Sequence, residues 1–192
     1  MTRYAMVMDQ RRCIGCQSCT VACRTKNKLP NDIIFNPVVS EGVQGTFPHV
    51  HQSFTPLICM HCDNPPCTIC CPTKASQQDA DGIVWVDQTK CMSCKVCVNT
   101  CPYGARDVSS LDPQFHRFVR KCDFCKDRVR AGEEPYCVLT CHQRARIFGD
   151  LDDPQSEVSA LVGSLATERI FTELGTRPNV YYIPFLGGGG PQ

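Results

Sequence analysis

Seventeen cysteines lie in a chain of 192 residues, and all but one sort into four groups of four. Two groups share the spacing C-x2-C-x2-C-x3-C: Cys13, Cys16, Cys19, Cys23 and Cys91, Cys94, Cys97, Cys101. Two are looser: Cys59, Cys62, Cys67, Cys71 follow C-x2-C-x4-C-x3-C, and Cys122, Cys125, Cys137, Cys141 follow C-x2-C-x11-C-x3-C. Cys70 is left over. Three closely spaced thiolates can wrap three corners of a [4Fe-4S] cube from one loop, leaving the fourth corner for a distant residue. In the run C-x2-C-x2-C-x3-C-P the fourth cysteine serves the other cube of a pair. Pro72 and Pro102 follow the last cysteine of their groups; such a proline holds the preceding residue extended and turns the chain away.

Other thiol chemistries fit less well. A zinc site wants two C-x2-C pairs and leaves no role for a third cysteine three residues on. A secreted disulfide scaffold conflicts with the odd cysteine count and with triplets at two-residue gaps. The formal charge is +1, but each cube with its four thiolates carries a net −2, so four cubes would bring the total to about −7. Arg11, Arg12, Arg24, Lys26, Lys90, Lys95, Arg106, Lys121 and Lys126 crowd the cysteines and read equally well as compensation for that charge or as solvated surface. The balance gives no case for nucleic-acid binding. No nucleophile elbow, Walker loop or dinucleotide fingerprint is present, so no catalytic residue is assigned. His49, His51, His61 and His116 read as surface histidines; no Rieske pattern of paired histidines is seen.

Local elements must aim these thiols. Asp9-Gln10-Arg11-Arg12-Cys13 matches Asp87-Gln88-Thr89-Lys90-Cys91, an internal repeat. Apolar stretches precede both, Tyr4 to Met8 and Ile83 to Val86, and each predicts a strand that delivers the chain to its first cysteine. The Asp81-Gly82 turn predicts a small hairpin ending in the second of these. Residues 24 to 58, interrupted by Pro30, Pro37, Gly42, Gly45, Pro48 and Pro56, read as a surface loop or partner-binding segment without regular structure. Asp153-Pro154 predicts the N-cap and first residue of a helix that presents Val158, Leu161, Val162 and Leu165 to its own core. Gly187 to Gly190 predict a mobile tail. The opening Met1 to Tyr4 has no signal-peptide character, and no run approaches the roughly 18 apolar residues of a membrane span. Location is then expected to be set by a partner, or to be cytoplasmic.

The four motifs, Gly149-Asp150-Leu151-Asp152-Asp153-Pro154 and Gly175-Thr176-Arg177-Pro178 resemble the iron-sulfur subunit of the complex iron-sulfur molybdoenzymes, in the polysulfide, thiosulfate, tetrathionate and dimethyl sulfoxide reductase branch. The resemblance implies an α+β fold of two bacterial 2[4Fe-4S] ferredoxin-like units, the central one inserted into the outer one, with long loops and a C-terminal extension. The outer unit would take 1–58 plus 108–150, the inner unit 59–107, and the extension 151–192. It also implies four [4Fe-4S] clusters. The outer pair would use Cys13, Cys16, Cys19 with Cys141, and Cys122, Cys125, Cys137 with Cys23. The inner pair would use Cys59, Cys62, Cys67 with Cys101, and Cys91, Cys94, Cys97 with Cys71.

Respiratory nitrate reductases in the same family carry tryptophan at the second cysteine of the third motif and hold a [3Fe-4S] cluster; Cys94 here implies a full cube. His142 stands after Cys141 where many relatives have proline. The implied function is non-catalytic electron transfer in a respiratory oxidoreductase. The Cys13 cluster would face a molybdopterin-containing catalytic subunit, and the Cys91 cluster an integral membrane quinone-reactive subunit. Such complexes often sit on the outer face of the membrane, the folded subunit being exported with its partner. A free polyferredoxin and a cluster-based redox sensor are the rival functions. The long 24 to 58 segment and the extension argue against the first, and a change of quaternary state on oxidation would reveal the second.

Overall fold

The computed structural model describes residues 2–185. Its centre is β1 (Tyr4–Asp9), buried on both faces past Tyr4. Side chains alternate along a strand, so Ala5 and Val7 join one apolar group, while Met6 and Met8 join another that contains Cys19, Cys62 and Cys137. β6 (Arg146–Asp150) pairs antiparallel with β1, and β7 (Val180–Ile183) pairs parallel on its other edge, giving the order β6-β1-β7. The strand expected at Tyr4 to Met8 is present. The one expected before Cys91 is also present as β5 (Val84–Val86), paired with β4 (Ser76–Gln78) across the turn at Gly82.

Residues 24–58 depart from the loop expected of them. They contain a long antiparallel hairpin, β2 (Val38–Thr46) and β3 (His49–Pro56), with a register shift between Ser40 and Val43. Pro37 lies just before the first strand, Pro48 in the turn and Pro56 at the end of the second, where none has to donate to the middle of the ladder. Gly42 and Gly45 have positive φ; Gly42 lies in the bulge, and Gly45 is paired with Val50 near the turn. Most of β2 is exposed on both sides.

The C-terminal helix is α7 (Glu157–Ser164), which starts after Ser156 and not at Asp153-Pro154. Asp153 closes a separate turn instead, accepting from the Gln155 N–H at 2.9 Å. Val158 of α7 is fully buried and packs with Ala5, Val7 and Ile147, with Leu161 and Val162 beside it, so the helix covers the face of the sheet away from the cysteines; Leu165, expected on the same stripe, lies past the helix end in extended backbone and is exposed. The glycines 187–190 lie outside the described residues. The mixed helix and strand content is α+β.

Six further short helices carry the remaining motifs or their flanks: α1 (Ser18–Asn27), α2 (Pro66–Ile69), α3 (Val96–Thr100), α4 (Pro113–His116), α5 (Lys126–Arg130) and α6 (Tyr136–Leu139). α1 packs on α6, and α2 packs on α3. The first motif thus meets the fourth, and the second meets the third.

Candidate metal centres

In all four C-x2-C loops the residue before the second cysteine is left-handed: Gly15 (φ 68°), His61 (41°), Ser93 (55°) and Phe124 (56°). Such a reversal turns successive backbone N–H groups to one side, where they form an anion-binding nest. At Gly15 a Cβ would lie 2.5 Å from the Phe54 ring of β3, so space as well as φ demands glycine. The other three adopt a conformation that costs an L-residue roughly 1–2 kcal/mol. Cys19 and Cys23 lie four residues apart on α1 and are its buried residues, whereas Cys71, Cys101 and Cys141 follow the ends of α2, α3 and α6. Beyond the fourth cysteine the backbone again supplies donors: Ala145 N–H to Cys141 Sγ at 3.2 Å and Ser76 N–H to Cys71 Sγ at 3.5 Å.

Cys13, Cys16 and Cys19 line a cavity together with Cys141, 122 residues further along the chain from Cys19; Ile14, Val38, Pro56, Ala145 and Arg146 are among its other lining residues. Cys59, Cys62 and Cys67 line a second, together with Cys101, Pro66, Val84, Tyr103 and Arg106. Cys23, on α1, is turned from its own loop toward Cys137 and Cys125; burial and those neighbouring thiols push it up to about 12. Burial, together with Cys59, likewise pushes Cys62 up to about 12, and burial lifts Cys122 well above the usual thiol range.

The remaining set is gathered differently. Cys91 and Cys97 pack with Cys67 and Cys70 in one apolar group. Cys71 lines a surface hollow with Lys74, Ser76 and Lys90, the residue before Cys91. The adjacent thiols differ in chemistry: Cys70 donates to the Cys67 carbonyl at 3.7 Å, whereas Cys71 receives the Ser76 amide and lies 3.7 Å from the Thr73 hydroxyl. Burial opposes ionisation of Cys71, but these donors outweigh it and lower its pKa.

All seventeen cysteines are free. Among the described residues no three His, Cys, Asp or Glu side chains converge as one metal ion requires; the thiols ring volumes instead. Apolar walls, several thiols and inward amides suit an inorganic cluster that is anionic once bound to thiolate. A protein-family profile described as a 4Fe-4S dicluster domain matches residues 50–151. The B component of polysulfide reductase from Wolinella succinogenes is 40% identical, with 97% of each sequence covered. The B component of selenate reductase from Mesobacillus selenatarsenatis is 40% identical over 94% of this protein and 72% of its own length. That of tetrathionate reductase from Salmonella typhimurium is 42% identical with the same coverages. The chain therefore belongs to the iron-sulfur subunits of molybdoenzyme-type reductase complexes. It carries iron-sulfur clusters and serves electron transfer.

The iron-sulfur subunit also buries polar groups that its sequence did not single out. Arg146 of β6 is 3% exposed and walls the Cys13 cavity. Asn179, fully buried before β7, donates to the His61 carbonyl at 2.9 Å and to Asp63 at 2.6 Å, while Thr176 and Arg177 receive the Asn64 and Asp63 amides. The C-terminal segment thereby clamps the second motif. Of the basic residues that crowd the cysteines in the sequence, Arg106 and Lys121 are buried, whereas Arg11, Arg12, Lys90 and Lys95 are exposed. His61 is not the surface histidine expected: it is fully buried, and its Nδ1 accepts the Val84 N–H at 3.0 Å. Burial, then the charges of Lys121 and Arg106, push its pKa well down, so the ring is neutral. Burial of His61 could not be read locally, because Phe124 and Val84, which cover it, come from other motifs.

Proposed function

We propose that this subunit holds four [4Fe-4S] clusters and relays electrons through them between a molybdopterin-containing catalytic subunit and an integral membrane quinone-reactive subunit, transforming no substrate itself. The proposed ligand sets are Cys13, Cys16, Cys19, Cys141; Cys122, Cys125, Cys137, Cys23; Cys59, Cys62, Cys67, Cys101; and Cys91, Cys94, Cys97, Cys71. Bound there, a cluster supplies one-electron redox chemistry at a potential set by burial, net charge and hydrogen bonds to sulfur. The observation that carries the reading is the crossed origin of each cavity's last thiol: Cys141 lies with Cys13, and Cys101 with Cys59. The nested units, 1–58 plus 108–150 around 59–107 with 151–192 as extension, accord with the α1–α6 and α2–α3 packing.

Two exposed apolar faces favour a subunit over a free carrier. Ile14, Val21 and Leu139 are exposed and line hollows shared with exposed Cys16, and exposed Met92 and Val96 flank exposed Cys94 in the sequence, with exposed Ile69 on α2, which packs on α3. Exposed large apolar groups clustered this way mark protein contacts. No described helix is long and apolar enough to cross a membrane; attachment through the quinone-reactive partner, on the outer face, is the arrangement proposed. Anaerobic native purification tests the reading. About sixteen iron and sixteen sulfide atoms per protein molecule, with a molybdenum-containing protein and an integral membrane protein co-purifying, are expected. About twelve of each, stoichiometric zinc or a protein purifying alone would refute it.

A further inference from the structure

Arg106 and Arg146 occupy the same place in two motifs, five residues after the fourth cysteine: Cys101-Pro-Tyr-Gly-Ala-Arg106 and Cys141-His-Gln-Arg-Ala-Arg146. At the matching position the second motif has Ser76 and the first has Lys28. Each pair of motifs thus contributes one such guanidinium, from its later member. Both are buried, at 2% and 3% exposure, and each walls one of the two thiol-lined cavities. Arg106 Nη2 donates to Cys67 Sγ at 2.9 Å and to Ser76 Oγ at 2.6 Å. Its Nη1, and both terminal nitrogens of Arg146, find no hydrogen-bond partner among the described residues.

A guanidinium cannot shed its proton to escape burial, and a buried charge without an anion is strongly unfavourable. No Asp or Glu forms an ion pair with either arginine among the described residues. The groups around them are thiols of both sets in each pair: Cys67, Cys59 and Cys97 about Arg106, and Cys137, Cys19, Cys141 and Cys122 about Arg146.

We infer that Arg106 and Arg146 are shared counter-cations, one for each pair of clusters, whose fixed charge between the two thiol sets raises the reduction potential of both members. The inference rests on the four-cluster reading. A cube with its thiolates gains one negative charge on reduction, so a nearby cation stabilises the reduced state more than the oxidised one. One cation between two anions also lessens their mutual repulsion, so that both can be reduced together.

The test uses the intact complex with Arg106→Gln, Arg106→Lys and Arg146→Gln, iron and sulfide content measured first, followed by dithionite titration monitored by electron paramagnetic resonance. With iron unchanged, Arg106→Gln is expected to make the two inner clusters harder to reduce, the reduced-to-oxidised ratio at a fixed poise falling about tenfold, which is 59 mV for a one-electron couple. The outer two should keep their potentials, Arg146→Gln should give the mirror pattern, and Arg106→Lys should recover most of the shift. Unchanged potentials at full iron, an equal shift of all four clusters, or Lys behaving as Gln would each overturn the inference. If Arg106→Gln loses iron, Arg106→Lys and Arg146→Gln decide by the same criteria. Iron well below the four-cluster count in the unaltered complex would refute the function proposed above, which is a separate failure.

Discussion

His61 stacks on Phe124, with ring centroids 3.6 Å apart and planes 15° from parallel. The two residues hold the same left-handed place in their loops, His61 between Cys59 and Cys62, and Phe124 between Cys122 and Cys125. They join the second motif to the fourth in the interior, where Phe124 is 1% exposed and also meets Phe148 edge-on. Removing the Phe124 ring should therefore cost about 3–5 kcal/mol. Anaerobic thermal unfolding of Phe124→Ala should show a large drop in midpoint, and Phe124→Leu a smaller one. Equal midpoints for Phe124→Ala and the unaltered protein would mean that the stack does not hold the two motifs together.

The crossed arrangement of thiols separates cause from neighbourhood. Cys23→Ser should perturb the cluster assigned to Cys122, Cys125 and Cys137, because those thiols neighbour Cys23. The cluster assigned to Cys13, Cys16 and Cys19 should keep its spectrum, since its cavity draws on Cys141. Low-temperature electron paramagnetic resonance distinguishes the two sets, and loss confined to the Cys13 cluster would refute the pairing.

Cys70 and Cys71 make opposite predictions. Cys71 receives a backbone amide as Cys141 does, whereas Cys70 acts as a weak donor in an apolar group, the behaviour of a small hydrophobe. Cys70→Ala should retain full iron, and Cys71→Ser should damage the cluster assigned to Cys91, Cys94 and Cys97. Iron analysis of the two variants decides the register; loss with Cys70→Ala alone would move the ligand one residue upstream.

Gly15→Ala should weaken the first cluster. The substitution adds the left-handed cost of roughly 1–2 kcal/mol and drives a methyl group into the Phe54 ring. A chelator challenge should release iron from the Cys13 set faster than from the others. Adding Phe54→Ala should restore part of the retention, because space returns while the backbone strain stays. Full recovery would show that φ at Gly15 carries no cost.

The sequence by itself determined the local chemistry. Cysteine spacing, the strand before each tight motif, the β4–β5 hairpin and the apolar stripe of α7 depend on residues within one turn, loop or hairpin, where short-range sterics and periodicity act. It did not reveal the β2–β3 hairpin, because prolines and glycines carry the same local signal whether they break an element or, as here, stand at strand ends, the turn and a bulge. Nor could it reveal β7 beside β1, whose paired residues Met6 and Val180 are 174 positions apart. The tertiary structure decided which basic residues are buried. A guanidinium is tolerated inside only where distant thiols converge on it, so Arg106 and Arg146 became distinguishable from surface charge once the four motifs were brought together. His61 follows the same rule: its burial depends on Phe124, Val84 and Asn179, supplied by three other segments of the chain.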